Sequence, residues 1–357
     1  MNQAAINHWD AFLALKEAQP GLRQREGAEQ LNIGEGALLA HAPGVVYLGT
    51  DIRAILPKLA TVGPVQCTVR NDFAVHEKVG LYENLNISPM FGLAVNVGGI
   101  DLRIFMKRWA HALAFESVGH GGKTLRSIQF YDEYGLALQK VYLQDEAYLP
   151  VWQGLIDEFK STEVPEFKTG FQREDKPARD FTETELAEFQ QRWLGMKDVH
   201  QFNVLIGEYG LSRTDAFKIA PAGFAYRMDG NAAIEAAYTA AVAKGTPIMT
   251  FVGNRGVVQI ETGVVHNLKR MSGWLNIFDS KENGFVLHLK DEGITEVWMV
   301  CRPTKDGLVT CLEAFDANGD IVLTLFGQRL EGEQELTEWR DIVTAVTGQA
   351  LPEEATL

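Results

Sequence analysis

The sequence predicts an α+β fold made by tandem structural duplication, in which each half is a broad antiparallel sheet flanked by helices. Three observations lead to this prediction. Helical spacing, a run of short strands and a closing helix follow one another twice along the chain. The strands are consecutive, as in a meander, and the helices are segregated from them, which is typical of α+β proteins and not of a parallel α/β sheet. Segments of the first half also recur in the second.

The duplication is visible in two pairs of segments. Ser127–Gly135 recurs 184 positions later as Cys311–Gly319, and both contain an alternating strand followed by an aromatic-Asp-x-x-Gly turn. Gly63–Asn71 similarly recurs as Thr246–Asn254, at an offset of 183. Two such copies predict a cleft between them, and that cleft is the first place to expect a ligand.

The elements of the first copy follow from hydrophobic spacing. Residues 4–17 and 24–40 have apolar positions three and four apart, which predicts helices. From 64 to 143 the pattern changes to short β-rich runs broken by Asn, Gly and Asp. Residues 147–160 form an amphipathic closing helix. Long meanders of this kind favour a sheet with helices on one face and the other face free for a ligand.

The second copy repeats this order after a linker. The linker, 161–181, contains Pro165, Pro177 and many charges. It separates an N-terminal repeat, 1–160, from a C-terminal repeat, 182–357. Helices are predicted at 183–195, 198–209, 232–244 and 333–347, and strands between 248 and 327.

Charge and cysteine content limit the classes of partner. The 357 residues carry a net charge of −14, which opposes binding to nucleic acid and attraction to anionic membranes. The three cysteines have no CxxC spacing and suit a reducing compartment. We find neither a signal peptide nor an apolar run of about 20 residues that could span a bilayer. A cytoplasmic protein is therefore expected, with no nucleic-acid partner and no stable membrane insertion.

Two motifs resemble known functional sites, but ordinary structural roles explain them better. Ser117–Thr124 differs by one residue from a phosphate-binding loop, yet a strand follows it where that mechanism needs a helix, so we expect a hairpin loop. Arg23–Ala40 has the spacing of a helix-turn-helix, but its mixed charges in an acidic chain favour packing helices.

His200 is the candidate metal ligand. Asp198 is the predicted N-cap of a helix that runs to Tyr209 and is stopped by Gly210, so His200 falls in its first turn. A helix N-terminus disfavours imidazolium and leaves a nitrogen lone pair available. A lone histidine is more often a capping or core residue, and no zinc spacing surrounds it. Haem, which brings four nitrogens of its own, needs only one such protein ligand.

Haem also carries two propionates, for which arginine is a suitable partner. The candidates are Arg103, Arg302 and Arg329, all on or just after predicted strands. Taken singly, each is more readily explained as a solvated surface arginine. Arg302 and Arg329 are the better candidates for propionate binding, because strands connected by hairpins bring their ends together in space.

Several segments in register resemble the HemS/ChuS/PhuS proteins of bacterial haem uptake. They are Asp198–Phe202, Met249–Asn254, Gly273–Asn276, Arg302–Gly307 and Phe326–Arg329, and the likeness spans essentially the whole chain. The resemblance implies two similar halves with large twisted antiparallel sheets and haem in the cleft between them.

The resemblance also implies roles for individual residues. His200 matches the proximal iron ligand, Arg103 a catalytic arginine on the distal side, and Arg302 and Arg329 residues that contact the propionates or the distal region. Relatives often have Lys at the position of Arg302, and Gln and Tyr where this chain has Thr324 and Phe326. Because Phe326 cannot donate a hydrogen bond, we expect a thinner distal network.

The first copy has Lys140 and Tyr142 at the positions of Thr324 and Phe326, and we expect one main haem site.

The resulting hypothesis is a haem-binding protein of haem uptake and iron acquisition that degrades hemin oxidatively and releases iron. An external electron donor is required, because the sequence has no flavin or nicotinamide fingerprint. Two alternatives stay open: a haem chaperone that delivers its ligand to a separate oxygenase, and a protein-interaction scaffold without haem. An importer and a downstream oxygenase or reductase are the expected partners.

Overall fold

A computed structural model describes residues 7–163, 165–173, 179–330 and 332–352; residues 4–6 of the predicted first helix and 164 and 174–178 of the predicted linker lie outside it. Within the described ranges the helices are α1 His8–Ala18, α2 Gln24–Gln30, α3 Glu35–Leu39, α4 Ile52–Lys58, α5 Leu149–Phe159, α6 Glu183–Leu194, α7 Gln201–Glu208, α8 Arg213–Lys218, α9 Ala232–Lys244 and α10 Thr337–Thr347. The strands are β1 Val46–Gly49, β2 Pro64–Arg70, β3 Ala74–Leu81, β4 Leu85–Ile87, β5 Phe91–Ala94, β6 Asp101–Phe105, β7 His111–Val118, β8 Thr124–Tyr131, β9 Ala137–Leu143, β10 Ala225–Asp229, β11 Ile248–Gly253, β12 Val257–Gly263, β13 Leu268–Met271, β14 Trp274–Asp279, β15 Phe285–Leu289, β16 Glu296–Thr304, β17 Gly307–Phe315 and β18 Ile321–Gly327.

The chain divides into two compact units. Unit 1 comprises Met1–Arg70, Glu77–Gln172 and Asn254–Gln259. Its sheet strands run in the order β1-β7-β8-β9-β2-β3, and a second group runs β4-β5-β6 and ends on the first residues of β12. The core of this unit packs α4 and α5 against the sheet, with Trp152 and Phe130 fully buried.

Unit 2 comprises Asn71–His76, Arg173–Gly253 and Ile260–Leu357. Its strands run β10-β16-β17-β18-β11-β12, and a second group runs β13-β14-β15 and ends on the first residues of β3. The order of strands is therefore the same as in unit 1, six plus three. The predicted α+β class and the predicted internal repeat are confirmed.

The aromatic-Asp-x-x-Gly motif forms the same turn in each unit. One carboxylate oxygen of Asp132 accepts the backbone N–H groups of Tyr134 and Leu136, both at 2.9 Å. In unit 2 the equivalent Asp316 accepts those of Asn318 and Asp320, at 2.8 and 2.9 Å. The glycine that follows has a φ of +77° in one turn and +76° in the other, a conformation that favours glycine. The motif thus encodes a hairpin turn stabilised by its own aspartate.

In each half, a short segment that begins at an equivalent asparagine belongs to the other unit. These segments are Asn71–His76, which belongs to unit 2, and Asn254–Gln259, which belongs to unit 1. The Asn71 side chain accepts the N–H groups of Phe73 and Ala74 and donates to the carbonyl of Gly253 at 3.1 Å, all inside unit 2. Asn254 does the same in unit 1, where its amide donates to the carbonyl of Arg70 at 3.1 Å. The exchange takes place at the first residues of β3 and β12.

Some local predictions need correction. The helix predicted over 24–40 is broken into α2 and α3, because Asn32 takes a φ of +54° and Gly34 lies against the backbone of Gly135. The closing helix predicted at 333–347 begins only at Thr337. The Ser117–Thr124 segment is the hairpin loop between β7 and β8, as predicted.

Helices lie against both faces of the unit 2 sheet, contrary to the expectation of one free face. On one face the Tyr238 hydroxyl of α9 contacts Thr250 at 3.0 Å. On the other face, which carries the residue adjacent along the strand, Phe251, α8 reaches Glu313 through Arg213. No helix within the described ranges is long and apolar enough to cross a membrane.

Candidate functional site

His200 has an exposed side chain at the start of α7. It is the N-cap residue of that helix, which begins at Gln201, so the prediction that Asp198 is the N-cap is wrong. The end of the helix is as predicted, with Tyr209 as the C-cap and Gly210 at a φ of +66°. The imidazole therefore projects from a helix N-terminus with solvent access.

The backbone around His200 is held from both sides. A carboxylate oxygen of Asp198 accepts the His200 N–H at 2.7 Å, and the Gln201 amide oxygen accepts the N–H groups of Lys197 and Asp198 at 2.7 and 3.2 Å. The carbonyl of Lys197 in turn accepts the N–H of Lys305, in the turn between β16 and β17, at 3.0 Å. An exposed side chain on a backbone fixed in this way is suited to binding, since the ordering cost is already met.

An aromatic and ionic layer lies beneath α7. Phe202, two residues after His200, is 1% exposed, and its ring stacks on that of Phe217 at 5.6 Å. The Arg302 guanidinium lies 4.5 Å from the Phe202 ring centroid and donates to Glu313. Arg213 of α8 donates to both carboxylate oxygens of Glu313 at 2.8 Å. Arg302 is thus buried, and the interpretation of it as a solvated surface arginine is wrong.

Glu313 stays ionised in this layer. Burial by itself raises the pKa of Glu313, but the guanidinium groups of Arg213 and Arg302 outweigh burial and lower it to about 2. Burial is complete for the carboxylate, whose side chain is 0% exposed. A buried charge is tolerated only when it is paired, and here the carboxylate accepts a bidentate contact from Arg213 and a further hydrogen bond from Arg302.

Beside this layer, one face of the sheet carries a row of half-buried apolar side chains, the apolar stripe, made of Met249, Phe251 and Phe326. Thr324 lies opposite Glu313 and Phe251, and Phe326 opposite Cys311 and Met249, so all share one face of the sheet. Met249, Phe251 and Phe326 are half-buried, with the two phenylalanine rings 5.1 Å apart. The corresponding pairs in unit 1 are Gln129 with Lys140 and Ser127 with Tyr142, which confirms the predicted equivalence of Lys140 and Tyr142. The stripe is a surface on which a flat apolar ring could lie.

Arg329 follows the last strand and is partly accessible. Its guanidinium lies 3.7 Å from a carboxylate oxygen of Asp306 and donates to the carbonyl of Glu333 at 3.4 Å. With 21% of its side chain exposed, against 4% for Arg302, Arg329 can reach an incoming carboxylate without leaving a buried partner. Arg302 would first have to leave Glu313.

Arg103 belongs to unit 1 and stands on an exposed apolar strand face. It lies opposite Leu93, while Phe105 lies opposite Phe91, and these three apolar side chains are all exposed. The guanidinium pairs with Asp101, which is 3% exposed. Burial raises the pKa of Asp101, and the Arg103 charge opposes that rise. Arg103 therefore presents a fixed positive charge on a surface that is otherwise apolar.

Sequence reasoning missed Arg213, Glu313, Met249 and Phe251 as parts of this arrangement. Alternation along β11 could have indicated the last two, because Met249 and Phe251 share the face of Phe326. Nothing in the sequence connects Arg213 with Glu313, one hundred residues away. Among the described residues no group of three His, Cys, Asp or Glu side chains is placed to hold a metal ion.

Glu335, a second buried carboxylate of unit 2, gives a pH-dependent prediction. Burial raises the pKa of Glu335 to about 7, against the opposing N–H bond from Thr310 and the charges of Arg340 and Arg329. Because the pKa of Glu335 is raised in the folded state, the protonated side chain stabilises the fold. This contribution is complete below about pH 4.5 and is lost as the pH rises through about 7. Glu335→Gln mimics the protonated side chain and should be more stable than wild type at pH 8 by about 3 kcal/mol.

Urea unfolding at pH 5 and pH 8 measures this effect. The control is Glu338→Gln, an exposed position in the first turn of α10, which should change stability by less than about 0.5 kcal/mol. Equal stabilities of wild type and Glu335→Gln at pH 8 would contradict the prediction.

Two solved structures with this architecture are of proteins described as heme degrading and heme-binding. The heme degrading enzyme ChuS of Escherichia coli O157:H7 matches with a TM-score of 0.86 and 38% identity, over 97% of this chain and 99% of that chain. Holo-PhuS, a heme-binding protein from Pseudomonas aeruginosa, matches with a TM-score of 0.86 and 36% identity, over 94% and 97%.

Sequence comparison gives the same class. The hemin transport protein HemS of Yersinia enterocolitica is 38% identical over 347 residues, which are 96% of this chain and 97% of that protein. The model of the haemin-degrading HemS.ChuX domain matches twice, at residues 32–159 and 210–346. The chain belongs to this haemin-degrading HemS.ChuX family, and the predicted family is confirmed.

Proposed function

We propose that this protein binds haem and opens its ring oxidatively, so that iron is released in haem uptake and iron acquisition. The observation that carries the proposal is His200, an exposed imidazole on a backbone hydrogen-bonded from both sides. One such ligand suffices for iron that already has four porphyrin nitrogens. The family relatives named above, which are described as hemin transport, heme degrading and heme-binding proteins, support the same ligand.

Each site residue has a part in this proposal. His200 binds the iron on the proximal side. Phe326, with Met249 and Phe251 beside it, supplies apolar contact for the ring, and Thr324 offers one hydroxyl next to them. Arg329 is the accessible propionate partner, and Arg302, the second candidate, would have to leave Glu313 to contact a propionate. Arg103 is the catalytic residue, which stabilises negative charge that develops on the distal side of the ring.

The oxidative chemistry belongs to the haem, and the chain contributes orientation and electrostatics. Electrons come from an external donor. We also place the protein in the cytoplasm, where it receives haem from an importer. A downstream oxygenase is needed only if the chain does not open the ring itself.

An aerobic turnover assay tests the proposal. The hemin complex is given an external reductant and air, with catalase present to remove free peroxide. We expect the Soret band to disappear while CO or a bilin accumulates, and we expect neither change under argon. Haem that stays intact in air would overturn the degradation step and favour the chaperone, and wild-type protein that fails to bind hemin would overturn both.

Arg103→Ala tests the distal assignment. Loss of this positive charge should weaken distal stabilisation by about 1–3 kcal/mol, and should slow turnover and speed autoxidation of the ferrous complex. Lys107→Ala removes an exposed positive charge from the same unit and should leave both rates unchanged. Unchanged autoxidation and turnover in Arg103→Ala would remove Arg103 from the catalytic role.

A further inference from the structure

We infer that Glu313 is a positioning residue for His200, because it holds two arginines that together fix the first turn of α7. The inference rests on the proposed function, since it takes His200 as the iron ligand. Glu313 itself lies on β17, within the sheet, and its ion pairs connect it to α7 through Arg213 and Arg302.

The first connection is a chain of hydrogen bonds. Glu313 accepts from Nε and Nη2 of Arg213, both at 2.8 Å, and this bidentate contact fixes the plane of the guanidinium. The third nitrogen, Nη1, then donates to the side-chain oxygen of Asn203 at 2.8 Å. The Asn203 backbone N–H donates to the carbonyl of His200 at 3.1 Å. Each step is a direct contact, and all of them lie inside unit 2.

The second connection is a stack. Arg302 donates to the same carboxylate and is 4.5 Å from the centroid of Phe202, while Arg213 is 5.1 Å from that ring. Phe202 is the residue of the first turn that points into the core, between Trp193 and Phe217. Two guanidinium groups therefore contact the ring, and one carboxylate keeps both in place.

The charge of Glu313, and not packing alone, holds the two arginines in place. Without the carboxylate, the buried guanidinium of Arg302 and the partly exposed guanidinium of Arg213 would face each other as unpaired like charges, and at least one would have to move toward water. That movement would break the Arg213 bond to Asn203 or the stack on Phe202. Outer contacts of this kind typically change metal affinity by about 10–100-fold when they are removed.

Hydrogen exchange of the haem-free protein tests the connection directly. In Asn203→Ala and Glu313→Gln the amides of Asn203, Val204 and Leu205 should exchange at least about tenfold faster, since the first turn opens more often. Amides of α10 report on global stability and should keep their rates in Asn203→Ala. The matched control is Glu35→Gln, which removes the carboxylate from the buried pair with Lys140 in unit 1, at 2.5 Å. Wild-type exchange of the α7 amides in both variants would overturn the inference.

Hemin provides a second readout that a merely structural role would not change. Transfer of hemin to haem-free myoglobin should be about tenfold faster from Asn203→Ala and from Glu313→Gln than from wild type. The iron–imidazole stretching band of the ferrous complex should shift in the same variants. Asn203→Asp keeps an acceptor for Arg213 and should restore both the release rate and the band.

The outcomes separate this inference from the proposed function. If wild type binds hemin through His200 but both variants release it at the wild-type rate, Glu313 has no positioning role and the proposed function stands. If wild type does not bind hemin, the proposed function fails, and hydrogen exchange still decides whether Glu313 fixes the first turn.

Discussion

His200→Ala should lack the sharp low-spin or mixed-spin Soret band that we expect of wild type on titration with hemin, and its affinity should fall about a hundredfold, or about 2.7 kcal/mol. The physical reason is the loss of the proposed protein ligand to the iron. Because the side chain is exposed, thermal unfolding of the haem-free protein should not change. Added imidazole should restore the band by taking the vacant coordination position.

The control for this experiment is His266→Ala, which removes another exposed histidine of unit 2. It should bind hemin with the wild-type spectrum and affinity. Identical titrations of wild type and His200→Ala would remove His200 from the ligand role, whatever the turnover assay shows.

Arg302→Met should lower the free energy of unfolding by about 3–5 kcal/mol, because it breaks a buried ion pair and leaves Glu313 with one partner fewer. Arg302→Lys should fall between this variant and wild type. Lysine keeps the charge but cannot contact Glu313 and Cys311 as a fork or stack in the same way on Phe202.

Urea denaturation of the haem-free protein measures both variants. Arg329→Met, in which the lost guanidinium was partly exposed, is the control and should cost less than about 1 kcal/mol. A loss of less than 1 kcal/mol in Arg302→Met would show that the buried pair adds little. Hemin affinity measured on the folded fraction then tests separately whether Arg302 contacts a propionate.

The sequence was sufficient to predict the class of fold, the duplication and the register of equivalent strands. These properties depend on local patterns, such as the alternation along β17 and the aspartate turn at Asp316, which act through nearest neighbours. A break between α2 and α3 agrees with the helix-turn-helix spacing of Arg23–Ala40, but its cause was not predictable from local patterns. It depends on contact between Gly34 and Gly135, which are far apart in the chain.

The candidate site was predictable only in part. His200 could be found because a helix start and a lone imidazole are local features. The burial of Arg302 could not, because an arginine near the end of a strand is usually solvated, and here α7 and α8 cover it. The partnership of Arg213 with Glu313 is a property of the folded chain, since neither residue has a neighbour in sequence that indicates the other.

The exchange of strand ends at Asn71 and Asn254 bears on the ancestry of the fold. A chain with only one copy would have no second copy with which to trade the start of its third long strand. Two such chains could complete each other by trading that segment, which is domain swapping in a symmetric dimer. Fusion of the two genes makes the trade intramolecular, at a high effective concentration. A covalent link between the halves lets each change its side chains independently, and the proposed ligand His200 lies in only one of them.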